Sequence, residues 1–199
     1  MPEFINILLA FFFILQLLVA VYLLLPLFLL LSHALFTRNK KLTGKKYPFV
    51  IKKNFDFAAI VTAHQDTRFI KPLVDSFLKQ NYSNFVVYVV ADDCDISDLD
   101  FSDDSIRILK PAQPFHAKIK SIKYAVDQFI RPHDVLVVFD SDNLVHPAYF
   151  ANLNSYFCCG FRAVQTHMLS KNTDTIYAKL DSIGHIYNTF IERQSRMEL

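Results

Sequence analysis

Val135-Leu136-Val137-Val138-Phe139-Asp140-Ser141-Asp142-Asn143 is an apolar run that stops abruptly at two carboxylates one residue apart. Five consecutive apolar residues bounded by polar ones predict a strand buried on both faces, as in a parallel sheet. In open α/β sheets, ligands gather beyond the carboxyl ends of the strands, which is where Asp140 and Asp142 fall. Two acidic oxygen donors there suit a hard divalent cation, Mg2+ or Mn2+, of the kind that bridges to substrate phosphates. The ordinary alternative is a solvated turn, since Asp and Asn are common turn formers.

Outward from this strand, short apolar runs alternate with helical periods. Residues 57–62 predict a strand, and 69–80 a helix with Phe69, Leu73 and Phe77 on one face. Residues 85–91 and 106–109 predict two further strands. Residues 118–130 form a helical period with Ile119, Ile122, Val126 and Phe129 on one stripe. After the 135–139 strand come a helix opening at Pro147, a strand at 163–166 and a long helix over 175–196. Strands alternating with helices mean βαβ units, hence an α/β fold with a mostly parallel sheet and right-handed crossovers.

Several of these strands end in polar residues. The first runs into Thr62-Ala63-His64-Gln65-Asp66, the second into Ala91-Asp92-Asp93-Cys94-Asp95, and the fourth into Asp140 and Asp142. Parallel strands bring these ends to one edge, so the groups converge on one crevice. Singly, each has an ordinary role: Thr62 and Asp66 as helix caps, Asp92 as a turn former, His64 as a surface residue. Lys118 opens a helix beside the same edge, where a cation could neutralise a diphosphate. With three glycines in the chain, neither a Walker A loop nor a G-x-G-x-x-G fingerprint is present, so phosphate must be held by metal and cations. The seven aspartates between 92 and 104 lack the Gly and final Glu of a calcium loop and read mostly as solvated.

A formal charge of +2, with no aromatic-interleaved basic patch, excludes a nucleic-acid binder. The three cysteines show no disulfide framework and suit a reducing compartment. Residues 5–36 are almost purely apolar, which predicts one transmembrane helix, tilted or kinked near Pro26. Only Glu3 precedes the span, whereas Arg38, Lys40, Lys41, Lys45 and Lys46 follow it. The positive-inside rule then places the C-terminal part in the cytosol. The domain reading is an anchor at 1–37, a basic linker at 38–54 and a soluble domain at 55–199.

Taken in order, the polar strand ends resemble those of a family 2 glycosyltransferase of the GT-A fold, the group that includes cellulose, chitin and hyaluronan synthases. Residues 60–66 are similar to the family's opening strand and its P-A-H/Y-N-E turn. Gln80-Asn81-Tyr82 matches its Q-x-Y, and residues 89–94 resemble V-V-A-D-N-C/S. His116-Ala117-Lys118 with residues 122–125 resembles G-K-A-x-A-L-N-x-A, and Asp140-Ser141-Asp142-Asn143 matches the D-x-D segment. The resemblance implies a Rossmann-like GT-A sheet in which Thr62, Ala63, Asp66, Asp92, Lys118 and Asp140 line the nucleotide-sugar pocket. Asp92 would accept from the uracil of a UDP-sugar, and Asp142 with Asp140 would ligate Mg2+ or Mn2+. It further implies inverting transfer to a saccharide or lipid-linked acceptor, in polysaccharide biosynthesis at a plasma or bacterial inner membrane.

Thr62, Gln65, Asp66 and Ala117 depart mildly from the pattern. The family's general base lies in an acidic motif after the donor half and is expected beyond Leu199. The acceptor half therefore reads as missing, to be supplied by further chain or by a partner chain. A non-catalytic nucleotide-sugar binding module is the competing reading. A haloacid-dehalogenase-type phosphatase fits poorly, because Leu144 stands where that family wants Thr or Val and its D-x-D normally opens the domain.

Overall fold

A computed structural model describes residues 2–37 and 51–194. The basic cluster from Arg38 to Lys46 and most of the 38–54 linker lie outside the described residues. The elements are α1 (Pro2–Thr37), β1 (Phe57–His64), α2 (Ile70–Leu78), β2 (Phe85–Asp92) and β3 (Ile106–Leu109). They continue with α3 (Lys118–Asp127), β4 (Val135–Asp140), α4 (Tyr149–Cys158) and α5 (Ile176–Asn188), which runs into a π-helical turn, Thr189–Gln194. Two compact units result: residues 47–164, and residues 1–46 together with 165–199. This division differs from the 55–199 domain expected from sequence, because α5 groups with α1.

In the sheet unit the four strands are all parallel, in the order β3-β2-β1-β4. Side chains alternate across the sheet with period two, so register sorts them into faces. One face carries Phe57, Ala59, Val61, Ala63, Val87, Val89 and Phe139 and is packed by Leu73, Val74, Phe77, Phe150 and Leu153 of α2 and α4. The other carries Ala58, Ile60, Val86, Tyr88 and Val90 under α3.

Three expectations are corrected here. The 135–139 strand is not buried on both faces: Leu136 and Val138 are 47% and 39% exposed. It is an edge strand of the described sheet, and the buried face of α3 packs on β1 and β2 rather than over it. The buried positions of α3 are Ser121 and Ala125, with Ile122 and Phe129 flanking, while Ile119 and Val126 face solvent. Small residues at i and i+4 let the helix axis approach the sheet, so the bulky stripe read from sequence lies partly outside the contact. Likewise Phe69 is exposed, and α2 buries Ile70, Leu73, Val74 and Phe77.

The strand expected at 163–166 does not form. Gly160, at φ 91°, ends α4 with Gly160 N–H on the Phe157 carbonyl and Phe161 N–H on that of Tyr156. The rings of Phe161 and Tyr156 meet at 5.9 Å. This is the left-handed helix stop that glycine favours, with its usual apolar contact across the stop.

The Gln80-Asn81-Tyr82 segment is a brace between β1, β2 and α4. Gln80 Nε2 donates to the His146 carbonyl at 2.8 Å, its Oε1 accepts from Phe150 N–H at 3.3 Å, and Asn81 N–H reaches the Pro147 carbonyl at 2.8 Å. Tyr82 O–H lies 2.7 Å from the Phe55 carbonyl and 3.2 Å from Asn154 Oδ1, an amide that is 1% exposed. Burial pushes the Tyr82 phenol up to about 12. A raised folded value means that its stabilisation is complete below the ordinary ~10 and is lost as pH rises toward the folded value. Tyr82→Phe is therefore expected to cost about 1 kcal/mol at neutral pH. It should also reduce the alkaline fall in denaturant midpoint between about pH 10 and 12.

At the same amino end of the strands, Asp56 joins β1 to β4. Its carboxylate accepts from Arg131 Nε at 2.9 Å and pairs with His133 Nδ1. The other ring nitrogen of His133 lies 2.8 Å from the Tyr88 hydroxyl, which also accepts from Ile130 N–H at 3.1 Å. With Ile130 donating, the Tyr88 O–H is free to donate to His133 Nε2, which leaves the imidazole proton on Nδ1 toward Asp56.

Candidate functional site

Register decides which strand-end side chains meet. Thr62 lies beside Val90 and Asp140, and His64 beside Asp92. By alternation Thr62, His64, Asp92 and Asp140 all fall on the α3 face, where Lys118 opens α3. The strand order reverses between β1 and β4, so this is the switch point at which a ligand crevice opens.

Asp92 is the best-anchored group of the cluster. It is 2% exposed, and its carboxylate accepts from Phe115 N–H at 2.7 Å, His116 N–H at 3.0 Å and His64 Nδ1 at 3.1 Å. Burial pushes its carboxyl up, but the two backbone N–H bonds and His64 together outweigh it and hold the group below the ordinary carboxylate range. The His64 and His116 rings meet edge to face at 5.2 Å. Neither histidine stands among the pocket residues that the sequence predicts; the available signal is that His64 stands two residues after Thr62 and so shares its face.

Among the described residues, three non-glycine residues have left-handed backbones, and all three border this edge: Gln65 at φ 57°, Asp93 at 54° and His116 at 50°. Such a conformation costs of order 1–2 kcal/mol and persists where the surroundings over-determine it. Gln65 N–H donates to the Asp92 carbonyl at 3.2 Å and its Nε2 to Asp93 at 2.8 Å, while His116 N–H is held by Asp92. Asp and His tolerate this region better than most residues, but nothing in the sequence marks Gln65.

Across the crevice Lys118 Nζ pairs with Asp140, both side chains at least half exposed. Asp140 and Asn143 close a turn through Asn143 N–H on the Asp140 carbonyl at 3.1 Å and Asp140 N–H on Asn143 Oδ1 at 3.2 Å. Asp142, exposed on that turn, is 3.4 Å from Asn143 Nδ2. Among the described residues no group of three or more His, Cys, Asp or Glu is arranged to hold a metal ion. Two carboxylates on one turn still fit an Mg2+-type ion, which keeps several waters and is shared with substrate phosphates rather than caged by protein.

Two of the expected pocket residues are turned elsewhere. Ala63 is 3% exposed, with its methyl in the α2 and α4 core and its backbone beside Ala91 in the sheet. The Asp66 carboxylate accepts from Arg68 N–H at 3.0 Å and from Arg68 Nη2 at 2.7 Å, which holds it well below the usual range, at about 2.

Comparison with known proteins bears on this arrangement. A family model described as "Glycosyltransferase like family 2" matches residues 54–198. No curated protein matches the chain. A mannosyltransferase from Pyrobaculum calidifontis, solved with GDP-Man and Mn2+, is similar at TM-score 0.50 and 14% identity, over 67% of this chain and 43% of that one. S. aureus TarS 1-349, solved with UDP-GlcNAc, is similar at TM-score 0.48 and 18% identity, over 59% and 39% of the two chains. The chain thus spans less than half the length of these structures.

Proposed function

On the premise that the chain belongs to the glycosyltransferase-like family 2, we propose that residues 54–164 carry the donor-binding half of a membrane-anchored glycosyltransferase that uses a UDP-sugar. The observation that carries this reading is the meeting of Asp92, Lys118 and Asp140 on one face of the sheet at its switch point, with Asp142 on the adjoining turn. Thr62 and the backbone of Ala63 floor the crevice, and Asp92 sets the 115–116 segment as the wall on which the uracil rests. The amides of the first turn of α3 and Lys118 face the diphosphate. Asp66 shapes the turn after β1 through Arg68.

Asp142, with Asp140, would hold Mg2+ or Mn2+; when bound, the ion supplies Lewis-acid stabilisation of the nucleoside diphosphate as it departs. A diphosphate placed between Lys118 and Asp140 competes for the lysine and leaves the Asp140 carboxylate for the cation. The acceptor, a saccharide or a lipid-linked sugar, attacks directly with inversion. The long apolar α1, with its candidate span Glu3–Leu35, anchors the enzyme with the sheet unit in the cytosol.

The test is a titration of UDP, with GDP in parallel, into the full chain in detergent with and without Mn2+. Mn2+ is expected to tighten UDP binding on the order of 10²-fold, about 2.7 kcal/mol. Asp142→Asn should lose that gain and keep the metal-free affinity. Metal-independent UDP binding would remove Asp142 from the site, and no nucleotide binding by the folded chain would end the transferase reading.

A further inference from the structure

Within the unit formed by α1 and α5, the exposed apolar surface of α5 has no partner among the described residues. Ile176, Leu180, Ile183 and Tyr187 are 74%, 60%, 61% and 47% exposed, and no residue of this helix is buried. At ~3.6 residues per turn these four fall within a narrow arc, with Tyr177 and Ile186 at its margins. Asp181, Ser182 and His185 occupy the opposite side, and Lys179 stands at the border. That is the pattern of a helix lying flat between a wet side and an oily one.

What covers the oily side is indicated by where α5 is tied. The π-helical turn that continues α5 packs on α1: the Phe190 ring meets His33 edge to face at 5.0 Å, and Ile191 is 2% exposed. His33 and its neighbour Ser32 are the polar pair that closes the long apolar run of α1. The half-buried positions Pro26, Leu29 and His33 lie three and four apart on that same side. The contact therefore fixes the end of α5 at the level where α1 leaves the hydrocarbon.

We propose that α5 is an interfacial helix whose Ile176–Tyr187 stripe is covered by the acyl–headgroup boundary of the bilayer that α1 crosses. The inference rests on the membrane-anchor reading above. The stripe sinks about 5–10 Å into that boundary, Lys179 extends its charged end to the headgroups, and the exposed Asp181 and His185 face water.

The chain contains no tryptophan, so a single introduced indole reports on its own surroundings. The test uses Leu180→Trp, Ile183→Trp, Asp181→Trp and Leu17→Trp, each in the full chain reconstituted into phosphatidylcholine–phosphatidylglycerol vesicles with and without acyl-brominated lipid. Leu17→Trp, in mid-span, should be blue-shifted and quenched. Leu180→Trp and Ile183→Trp should also be blue-shifted and lose fluorescence to bromine near the headgroup end of the acyl chain, while Asp181→Trp keeps its emission. Quenching at Leu17→Trp with none at Leu180→Trp or Ile183→Trp overturns the proposal and leaves the anchor standing. A blue shift at the stripe without bromine quenching means that protein covers it, which also overturns the proposal. No quenching at Leu17→Trp removes the membrane span, and this inference falls with it.

Discussion

Asp92→Ala is expected to cost the sheet unit about 3 kcal/mol and to abolish nucleotide binding. Asp92 is 2% exposed and accepts from two backbone N–H groups and a histidine. Bonds to a charged acceptor are worth about 1.5–3 kcal/mol each, and each buried donor left without a partner costs about 1–3 kcal/mol. Part of that loss is recovered as the 115–116 segment relaxes toward water, which is why the total stays below the sum. The same relaxation releases His116 from its left-handed backbone and moves the wall that precedes Lys118, so binding falls with stability.

The pH dependence separates charge from shape in this variant. The folded Asp92 carboxyl titrates below its ordinary value. Its contribution is then complete above the unfolded value of ~3.9 and disappears as pH falls through the folded value. Chemical denaturation from pH 7 downward should find wild type and Asp92→Asn well apart at neutral pH and converging as pH falls past the ordinary carboxylate value of ~3.9. Parallel curves across that range would show that the carboxylate charge contributes nothing to the fold.

Phe150→Ala is expected to be the most damaging substitution, at about 3–5 kcal/mol. Phe150 is fully buried, and its ring lies 5.2 Å from Phe57, 6.0 Å from Phe77, 4.8 Å from Phe85 and 5.5 Å from Tyr149. One ring thereby joins β1, α2, β2 and its own helix, so no single neighbour can move in to fill the cavity. Against a typical net stability of about 5–15 kcal/mol, a weaker domain would unfold outright. The denaturant midpoint of the detergent-solubilised chain measures this, with Leu144→Ala as the comparison. Leu144 is 56% exposed, and its truncation should change the midpoint little. A shift at Phe150→Ala no larger than that of Leu144→Ala would show that the aromatic cluster is not the core of the unit.

What could be read before folding was what depends on neighbours in sequence. Strand β3 at residues 106–109 and the start of α3 at Lys118 were legible because apolar runs and helical period are local properties. The meeting of Thr62, Asp92, Lys118 and Asp140 was legible only through the rule that parallel strands share an edge. The exposure of Leu136 and Val138 was not, because a run of five apolar residues is the same string at the centre of a sheet as at its margin. Nor was the burial of Ser121 and Ala125, which reflects how closely a helix can approach a sheet. The expected strand at 163–166 failed for a related reason: pairing with a neighbouring strand is not a property of four residues read by themselves. The left-handed Gln65 is a tertiary demand, set by Asp92 and Asp93, with no signature in its own residue type.

The strand order has a consequence for the time course of synthesis. β1 is translated first among the strands yet stands inside the sheet, and its partner Val135 lies 78 positions after Phe57. At about 5–20 residues per second, a ribosome needs roughly 4–16 s to cover that interval. Within it, β1 can pair only with β2 once that strand is made, and Asp92 can find His64 while Lys118, when it arrives, still has no Asp140 to meet. The two carboxylates at the end of β4 are therefore the last part of the crevice to arrive on the nascent chain.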